Sequence, residues 1–219
     1  GGAGHVGFPL GLIFASKKLK VSLIDINRAN LNLIEKGICP FKEKLGLKYL
    51  KKYKKNISTS LNFNDIKYSK FIVICIGTPV GKNLNPKKNG LFKIFRKIKK
   101  IIKSDQHIIV RSSIHVNAMQ EIKDKFKFEN LTYCPERIVQ GKSLVELPKL
   151  PQLVSGFNRK SVEKSKNLFL KICKKVVVTS VQESELIKLF SNSFRFVHFA
   201  ISNQFYMICE ELGLNYEKI

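Results

Sequence analysis

The stretch that decides the fold is GGAGHVG, Gly1 to Gly7, at the start of the chain. Its glycines at positions 2, 4 and 7 form a G-x-G-x-x-G pattern. In a dinucleotide-binding fold Gly2 would make the tight turn, Gly4 would let the backbone approach a pyrophosphate, and Gly7 would let helix and strand pack closely. The phosphates then lie at the helix N-terminus, where free N–H groups point outward. Because glycine-rich turns are common, the pattern needs support from its surroundings.

An acidic residue at the expected distance gives that support. Asp25 follows Gly7 by 18 residues and ends the apolar run KVSLID. A carboxylate there hydrogen-bonds the ribose hydroxyls and repels a 2′-phosphate, which favours NAD over NADP, although Arg28 nearby leaves NADP open. The alternative is that Asp25 caps the helix that follows. The strand expected before Gly2 does not appear and the chain does not begin with Met, so we expect a fragment of a longer protein.

Apolar runs of strand length alternate with amphipathic stretches along the chain. The pattern predicts helices at 5–18, 27–37, 42–56, 91–103, 117–126 and 159–173, and strands at 20–25, 70–80, 107–113, 131–136, 152–157 and 175–180. This alternation predicts an α/β fold, a Rossmann-type doubly wound parallel sheet covered by helices on both faces. From Gln182 onward the chain reads as one long helix. We therefore expect a cofactor domain at 1–181 and the start of a helical domain at 182–219.

The formal net charge of +24 suggests a nucleic-acid partner, but the kind of basic residue argues against one. Only 6 of the 40 basic residues are Arg, the residue best suited to bidentate phosphate and base contacts. The lysines are spread along the chain without a zinc-knuckle or RNA-recognition signature. We interpret the charge as a solvated basic surface, and keep nucleic-acid binding as the lesser alternative.

Five scattered cysteines without a C-x-x-C spacing predict reduced thiols, no disulfide framework and no metal site. This usage suits a cytoplasmic protein. The purely apolar runs fall far short of the roughly 20 residues that a membrane span needs. Cys75 and Cys134 lie in apolar surroundings and are expected to be buried.

Polar residues follow three of the predicted strands, in the turns GTP (Gly77 to Pro79), RSS (Arg111 to Ser113) and CPERI (Cys134 to Ile138). Ligands of such a sheet bind outside the carboxyl ends of its strands. The apolar helix ELIKLFSNSFRFVHF adds Lys188, Asn192 and Arg195, whose spacing brings them within an arc of roughly 60° on one face. The turns alone are compatible with plain loops, and the two cations with side chains that extend from a helix edge into water. Together they suggest one site.

The motifs GGAGHVGFPLG, CIGTPV, VRSSI, CPERIVQGK and ELIKLFSNSFRFVHFAISNQFY occur in an order and spacing similar to that of the nucleotide-sugar 6-dehydrogenases, the UDP-glucose/GDP-mannose dehydrogenase family. The resemblance spans the chain. CPER followed by K-x-x-x-N-x-x-R resembles the branch that acts on UDP-N-acetylmannosamine or UDP-N-acetylglucosamine. The resemblance implies NAD-dependent oxidation of the sugar C6 hydroxyl to a carboxylate, which would serve the synthesis of surface polysaccharide precursors. It also implies a homodimer through the central helical domain, and a C-terminal UDP-binding domain beyond the chain.

The resemblance also assigns roles. Catalytic positions would be Lys188, Asn192 and Glu136, the last in thioester hydrolysis. Substrate contacts would be Arg137, Ile138 and Arg195. Cofactor contacts would be Gly2, Gly4, His5, Val6, Gly7, Asp25, Gly77, Thr78 and Ser113. An ammonium at position 188 would stabilise the alkoxide that develops as hydride leaves C6.

Several residues depart from the family pattern. Ser113 stands where the family usually has Thr, and IHVNAM replaces the usual Pro-Gly turn after it. Gln140 stands where UDP-glucose enzymes carry a second glutamate, which favours the N-acetyl branch. The family nucleophile is a cysteine in a later segment, and none of the five cysteines matches it. A catalytically dead nucleotide-binding module and a UDP-glucose 6-dehydrogenase therefore stay as alternatives, and we expect the chain alone to be inactive.

Overall fold

Helices and strands alternate through residues 1–78 and 88–219, the part of the chain that the computed structural model describes; of 88 and 89 it describes the backbone alone. The strands are β1 Val21–Ile24, β2 Ile57–Ser60, β3 Phe71–Ile74, β4 His107–Val110, β5 Leu131–Tyr133, β6 Gln152–Gly156 and β7 Val176–Val178. The α-helices are α1 Gly7–Ser16, α2 Arg28–Glu35, α3 Gly46–Tyr53, α4 Lys88–Ile101, α5 Ala118–Phe126, α6 Ser143–Glu146, α7 Arg159–Phe169 and α8 Val181–Glu211. This order confirms the α/β prediction.

The strands form a parallel pair, β1-β2, and a five-stranded sheet in the order β3-β4-β5-β6-β7. Four of the five pairings are parallel, as expected, but β5 and β6 are antiparallel. The prediction of a wholly parallel sheet was therefore wrong at this pair. A parallel neighbour needs a crossover connection, usually a helix, that carries the chain back to the end at which the first strand began. Between β5 and β6 the chain has only the four-residue α6, so β6 starts where β5 ends.

Between α2 and β3 one prediction was wrong and one strand was missed. The stretch 42–56 was expected to be one helix, but α3 begins at Gly46 and is followed by a separate 3-10 turn, Lys54–Asn56. Strand β2 was not predicted at all. Its sequence ISTS is short and polar, and none of its residues is fully buried, so it lacks the apolar run that identifies a strand.

A pocket of about 770 Å³ lies between β1 and β3, and in the described part of the chain these two strands do not pair. Its apolar lining includes Leu10, Phe14, Val21, Leu23, Phe71 and Val73. The N–H of Gly2 donates to the carbonyl oxygen of Ile24, the last residue of β1, at 3.0 Å. The glycine loop therefore lies at the carboxyl end of β1, next to this pocket. The strand expected before Gly2 stays a prediction.

Each face of the five-stranded sheet carries its own apolar core. On one face Ile109 joins a cluster with Phe8, Leu12 and Phe169, which come from α1 and α7. On the other face Ile108 and Val110 join a cluster with aromatic and aliphatic side chains of α4 and α5. Because successive strand residues point to opposite faces, an all-apolar strand such as β4 is the pattern of a sheet covered on both sides. The doubly wound architecture is confirmed.

Helix α8 begins with a capping box in which Ser180 and Glu183 satisfy each other's backbone N–H groups. Its first turns pack against the sheet, whereas its later turns expose large apolar side chains: Phe190, Phe194, Phe196, Phe199, Phe205 and Ile208. None of the helices in residues 1–78 and 88–219 combines the length and the apolar character that crossing a membrane requires.

One buried carboxylate joins α8 to the body of the domain. Glu185 is fully buried and accepts hydrogen bonds from the N–H groups of Asn117 at 2.7 Å and Met119 at 2.9 Å. These N–H groups lie at the start of α5, where a negative charge also interacts favourably with the helix dipole. Sequence reasoning missed this residue because its partners are 66 and 68 positions away.

We expect Glu185→Ala to lower the free energy of unfolding by about 2–3 kcal/mol, because two buried N–H groups lose a charged acceptor. Urea denaturation of the complete protein, followed by circular dichroism, measures the change. Glu211→Ala is the control, since Glu211 is exposed at the end of the same helix. Equal stability of the two variants would contradict a structural role for Glu185.

Candidate functional site

The glycine-rich loop lies directly before helix α1. Helix α1 begins at Gly7, and its cap residue Val6 makes no side-chain hydrogen bond to the first turn. The Phe8 N–H donates to the Gly4 carbonyl oxygen at 3.0 Å and Pro9 has no N–H, so a ligand at this end would use the N–H groups that precede Phe8. A Cβ atom on Gly7 would lie 2.2 Å from the Gly1 carbonyl oxygen, whereas one on Gly4 would meet no atom closer than 3.6 Å. Gly7 is therefore required by packing within the protein. Gly4 leaves open backbone beside the helix N-terminus, as a phosphate group would need.

Asp25 lies directly beside this loop. Its carboxylate accepts hydrogen bonds from the N–H groups of Ala3 at 2.9 Å and Asn27 at 3.0 Å. Partial burial raises the pKa of Asp25, but these backbone donors outweigh it and the net pKa lies below its usual value. The alternative role as cap of α2 was wrong, because Asn27 occupies that position and accepts from Asn30.

The remaining residues predicted for the cofactor lie around the same edge. His5 is exposed, and its ring lies 4.0 Å from that of Phe41, a neighbour that sequence reasoning did not include. Beyond β3 and β4, the Thr78 hydroxyl donates to the Ser113 carbonyl oxygen at 2.5 Å, which joins two of the predicted turns. Gly77 is exposed next to Thr78, and Pro79, the end of the predicted Gly-Thr-Pro turn, lies outside the described residues.

A buried ionic network lies beyond the ends of β4 and β5. Arg111, directly after β4, is 1 % exposed and forms an ion pair with Glu136, which follows β5. Its guanidinium also donates to the Gln152 side-chain oxygen at 2.9 Å and lies over the Phe169 ring at 5.1 Å. Burial lowers the pKa of Arg111, yet an arginine stays charged at any ordinary pH.

The loop after β5 contacts α8 through main-chain atoms. The second oxygen of Glu136 accepts from the N–H groups of Arg137 at 2.7 Å and Ile138 at 3.0 Å. The Arg137 carbonyl oxygen in turn accepts from the Arg195 guanidinium at 3.2 Å, while the Arg137 side chain donates to the Pro151 carbonyl at 2.6 Å. The structure thus brings together four residues predicted for catalysis or substrate contact.

Lys188 lies two turns before Arg195 on α8 and is half-buried. Burial and, to a smaller extent, the positive charges of Arg195, Arg111 and Arg137 together lower the pKa of Lys188 to about 8. A side chain held in this way does not simply extend into solvent, which argues against the alternative of a lysine at a helix edge. Asn192, predicted on the same stripe, is exposed.

The five cysteines are free. Burial raises the pKa of Cys39, Cys75, Cys134 and Cys173, that of Cys134 to about 12, which disfavours the nucleophilic thiolate. Cys134 is buried as expected, whereas Cys75 is only partly buried.

A glycine-rich loop at the start of a helix, an acidic residue after the next strand and a doubly wound sheet define the class of Rossmann-type dinucleotide-binding domains. Within that class, residues 1–174 match the family model for the NAD binding domain of the UDP-glucose/GDP-mannose dehydrogenase family, and residues 182–219 match the model for its central domain. The chain belongs to the UDP-glucose/GDP-mannose dehydrogenase family. The resemblance recognised in the sequence is confirmed.

Similar proteins include a UDP-N-acetyl-D-mannosamine dehydrogenase of Methanococcus maripaludis (strain C7), 30% identical over 98% of this chain and 51% of the relative. An NDP-N-acetyl-D-galactosaminuronic acid dehydrogenase of Ralstonia nicotianae is 25% identical over 98% of this chain and 54% of the relative. The UDP-D-ManNAc dehydrogenase structure of Pyrococcus horikoshii has the same fold, with a TM-score of 0.86 at 22% identity over 98% of this chain and 54% of that one. The chain spans about half the length of the curated relatives it matches.

Proposed function

We propose that the chain is the N-terminal part of an NAD-dependent nucleotide-sugar 6-dehydrogenase. It would oxidise the C6 hydroxyl of a UDP-N-acetylhexosamine, UDP-N-acetylmannosamine or UDP-N-acetylglucosamine, to the uronate for surface polysaccharide precursors. The observation that carries the proposal is the cluster of Lys188, Arg195 and Arg137 at the carboxyl ends of β4 and β5. The relatives named above are dehydrogenases of N-acetylated sugar nucleotides, which supports the substrate class.

The residues of the loop fit a dinucleotide. The open backbone at Gly4 and the N–H groups that precede Phe8 at the start of α1 would hold the pyrophosphate, and Asp25 would accept hydrogen bonds from the ribose hydroxyls. The bound nicotinamide would supply the hydride acceptor. His5, Val6, Gly77, Thr78 and Ser113 are the further contacts that we propose for the cofactor.

The residues on α8 would act on the sugar. The ammonium of Lys188 would lie near the C6 oxygen and stabilise negative charge that develops there, an effect that is strongest where water is excluded. Asn192 would add a donor without a second charge. The guanidinium groups of Arg195 and Arg137, with Ile138 beside them, would orient the sugar and pair with a carboxylate product. Glu136 would serve in the hydrolysis of the thioester that the family forms on its cysteine.

The organisation of the complete protein is also a proposal. The exposed aromatic side chains of α8 support a homodimer formed through the central helical domain. We propose a boundary between residues 181 and 182, a C-terminal domain that binds UDP, and a cytoplasmic location. Neither a membrane span nor a nucleic-acid partner forms part of the proposal.

The test is to assay the complete protein with NAD and a panel of UDP-sugars while following NADH. Turnover of a UDP-N-acetylhexosamine is the expected result. Turnover of UDP-glucose instead would favour the UDP-glucose 6-dehydrogenase alternative, whereas NAD binding without turnover of any sugar would favour a catalytically dead nucleotide-binding module. DNA binding that is sequence-selective and weakens steeply with salt would revive the nucleic-acid alternative.

Substitutions of Gly4 and Gly7 test cofactor binding and folding separately. We expect Gly4→Ala to weaken NAD binding at least about tenfold with little change in melting temperature, because the new methyl group would occupy the approach of the pyrophosphate. Gly7→Ala is the contrasting variant, because its methyl group would collide with the Gly1 carbonyl and should lower the melting temperature. Calorimetric titration with NAD and thermal unfolding measure the two effects. Unchanged NAD affinity in Gly4→Ala would exclude the proposed phosphate position.

A further inference from the structure

Arg111 is a charged side chain at the centre of an apolar layer. It follows HIIV, a strand whose residues are all buried, and is itself 1 % exposed. Burying a guanidinium is costly unless it is paired, and Arg111 is paired with Glu136 and Gln152 and stacked on Phe169. The sequence marked it only as part of a polar turn.

Arg111 and its two hydrogen-bond partners lie at the ends of three different strands. Arg111 follows β4, Glu136 lies in the loop after β5, and Gln152 opens β6. Gln152 also donates to the Pro135 carbonyl oxygen at 3.2 Å, in the same loop as Glu136. Loop 134–138 is therefore held by two guanidinium groups, that of Arg111 through Glu136 and that of Arg195 through the Arg137 carbonyl oxygen.

We propose that Arg111 is a positioning residue of the sugar site, which fixes loop 134–138 against α8 through Glu136 and places a permanent positive charge behind Lys188. The inference deepens the proposed function and rests on it. Arg111 touches neither sugar nor cofactor in this role. It acts through Glu136, whose main-chain neighbours Arg137 and Ile138 would face the substrate.

The charges near Lys188 come from three segments of the chain. Arg195 lies on α8 itself, Arg111 follows β4, and Glu136 and Arg137 lie in the loop after β5. Glu185 precedes Lys188 by one turn, but it is buried against the start of α5. Removing Arg111 takes away a repelling charge and leaves Glu136 unpaired, and both changes favour the ammonium form of Lys188.

The first experiment measures the protonation of Lys188 without any turnover. The complete protein is treated with limiting acetic anhydride between pH 6 and pH 11, and acetylation of the Lys188 peptide is quantified by mass spectrometry. We expect a midpoint near pH 8 in the wild type. In Arg111→Met the midpoint should rise by about one pH unit or more. The matched control is Arg96→Met, which removes an exposed arginine of α4 and should leave the midpoint unchanged.

A midpoint in Arg111→Met equal to that of the wild type, in a protein with native circular dichroism, would overturn the charge role. Should Arg111→Met fail to fold, Arg111→Lys tests the positioning role. A lysine keeps the charge, but its single ammonium group lacks the planar guanidinium whose separate nitrogens donate to Glu136 and Gln152. We expect kcat to fall at least about tenfold while the KM for NAD stays unchanged, and wild-type kcat would overturn the proposal.

The outcomes also separate this inference from the proposed function. If the wild-type protein oxidises no nucleotide sugar, the proposed function fails and the acetylation midpoint alone decides the effect of Arg111 on Lys188. If the wild-type protein is active but both Arg111 variants keep its kcat and its midpoint, the proposed function stands and the positioning role of Arg111 is wrong.

Discussion

Replacing Lys188 with alanine in the complete protein is expected to lower kcat by at least about 10²-fold while NAD binding persists. Lys188 is half-buried among three arginines, so its ammonium would act on the sugar oxygen in surroundings with little water. The cofactor contacts that we propose lie on other elements, around the glycine-rich loop and the turns after β3 and β4. Steady-state kinetics with the preferred UDP-sugar and calorimetric titration with NAD measure the two quantities separately.

Lys160→Ala is the control for this prediction, because Lys160 is an exposed lysine on α7. It should leave both kcat and the NAD affinity at wild-type values. Near-wild-type turnover in Lys188→Ala would remove Lys188 from the mechanism. A loss of NAD affinity together with kcat would instead indicate that the substitution disturbs the domain as a whole.

Replacing Glu136 with alanine is expected to lower the free energy of unfolding by about 3–5 kcal/mol. The substitution leaves the Arg111 guanidinium buried without its counter-ion, and the N–H groups of Arg137 and Ile138 lose their acceptor. Urea denaturation with circular dichroism measures the change. Glu163→Ala, which removes an exposed carboxylate from α7, should change stability by less than about 1 kcal/mol.

The double variant Glu136→Ala/Arg111→Met sharpens this test. If the cost comes from an uncompensated buried charge, removing Arg111 as well should restore part of the stability, because the two effects are coupled. A double variant that is destabilised by the sum of the single effects would show that the ion pair is not the source.

Short-range patterns predicted most of the fold. The glycine loop, helix α2 with a positive φ at Gly37 just after its end, and the alternation of apolar strands with amphipathic helices were all found where they were expected. The predictions that were wrong lie where local pattern carries little information. Strand β2 is too polar to stand out, and the antiparallel direction of β6 depends on the path of the loop before it.

The candidate site divides in the same way. The glycines of the loop that we propose for the pyrophosphate could be named from spacing alone, and so could the positions of Lys188 and Arg195 on one helix face. The burial and the contact partners of these residues could not be predicted from the sequence. The helical period placed Asn192 on the same face as its neighbours, but whether a face is covered depends on what packs against it, and here Asn192 is exposed.

The amino-acid sequence by itself determined that this protein has a dinucleotide-type α/β domain, which glycines form the loop before α1, and which polar residues share one face of α8. Steric limits at single glycines and the repeat of helix and strand act over a few residues, so they can be read along the chain. Only the tertiary structure decided that Arg111 pairs with Glu136, that Glu185 caps α5 and that Lys188 loses its ordinary pKa. Those outcomes depend on burial and on charges brought together from distant segments, which no local pattern contains.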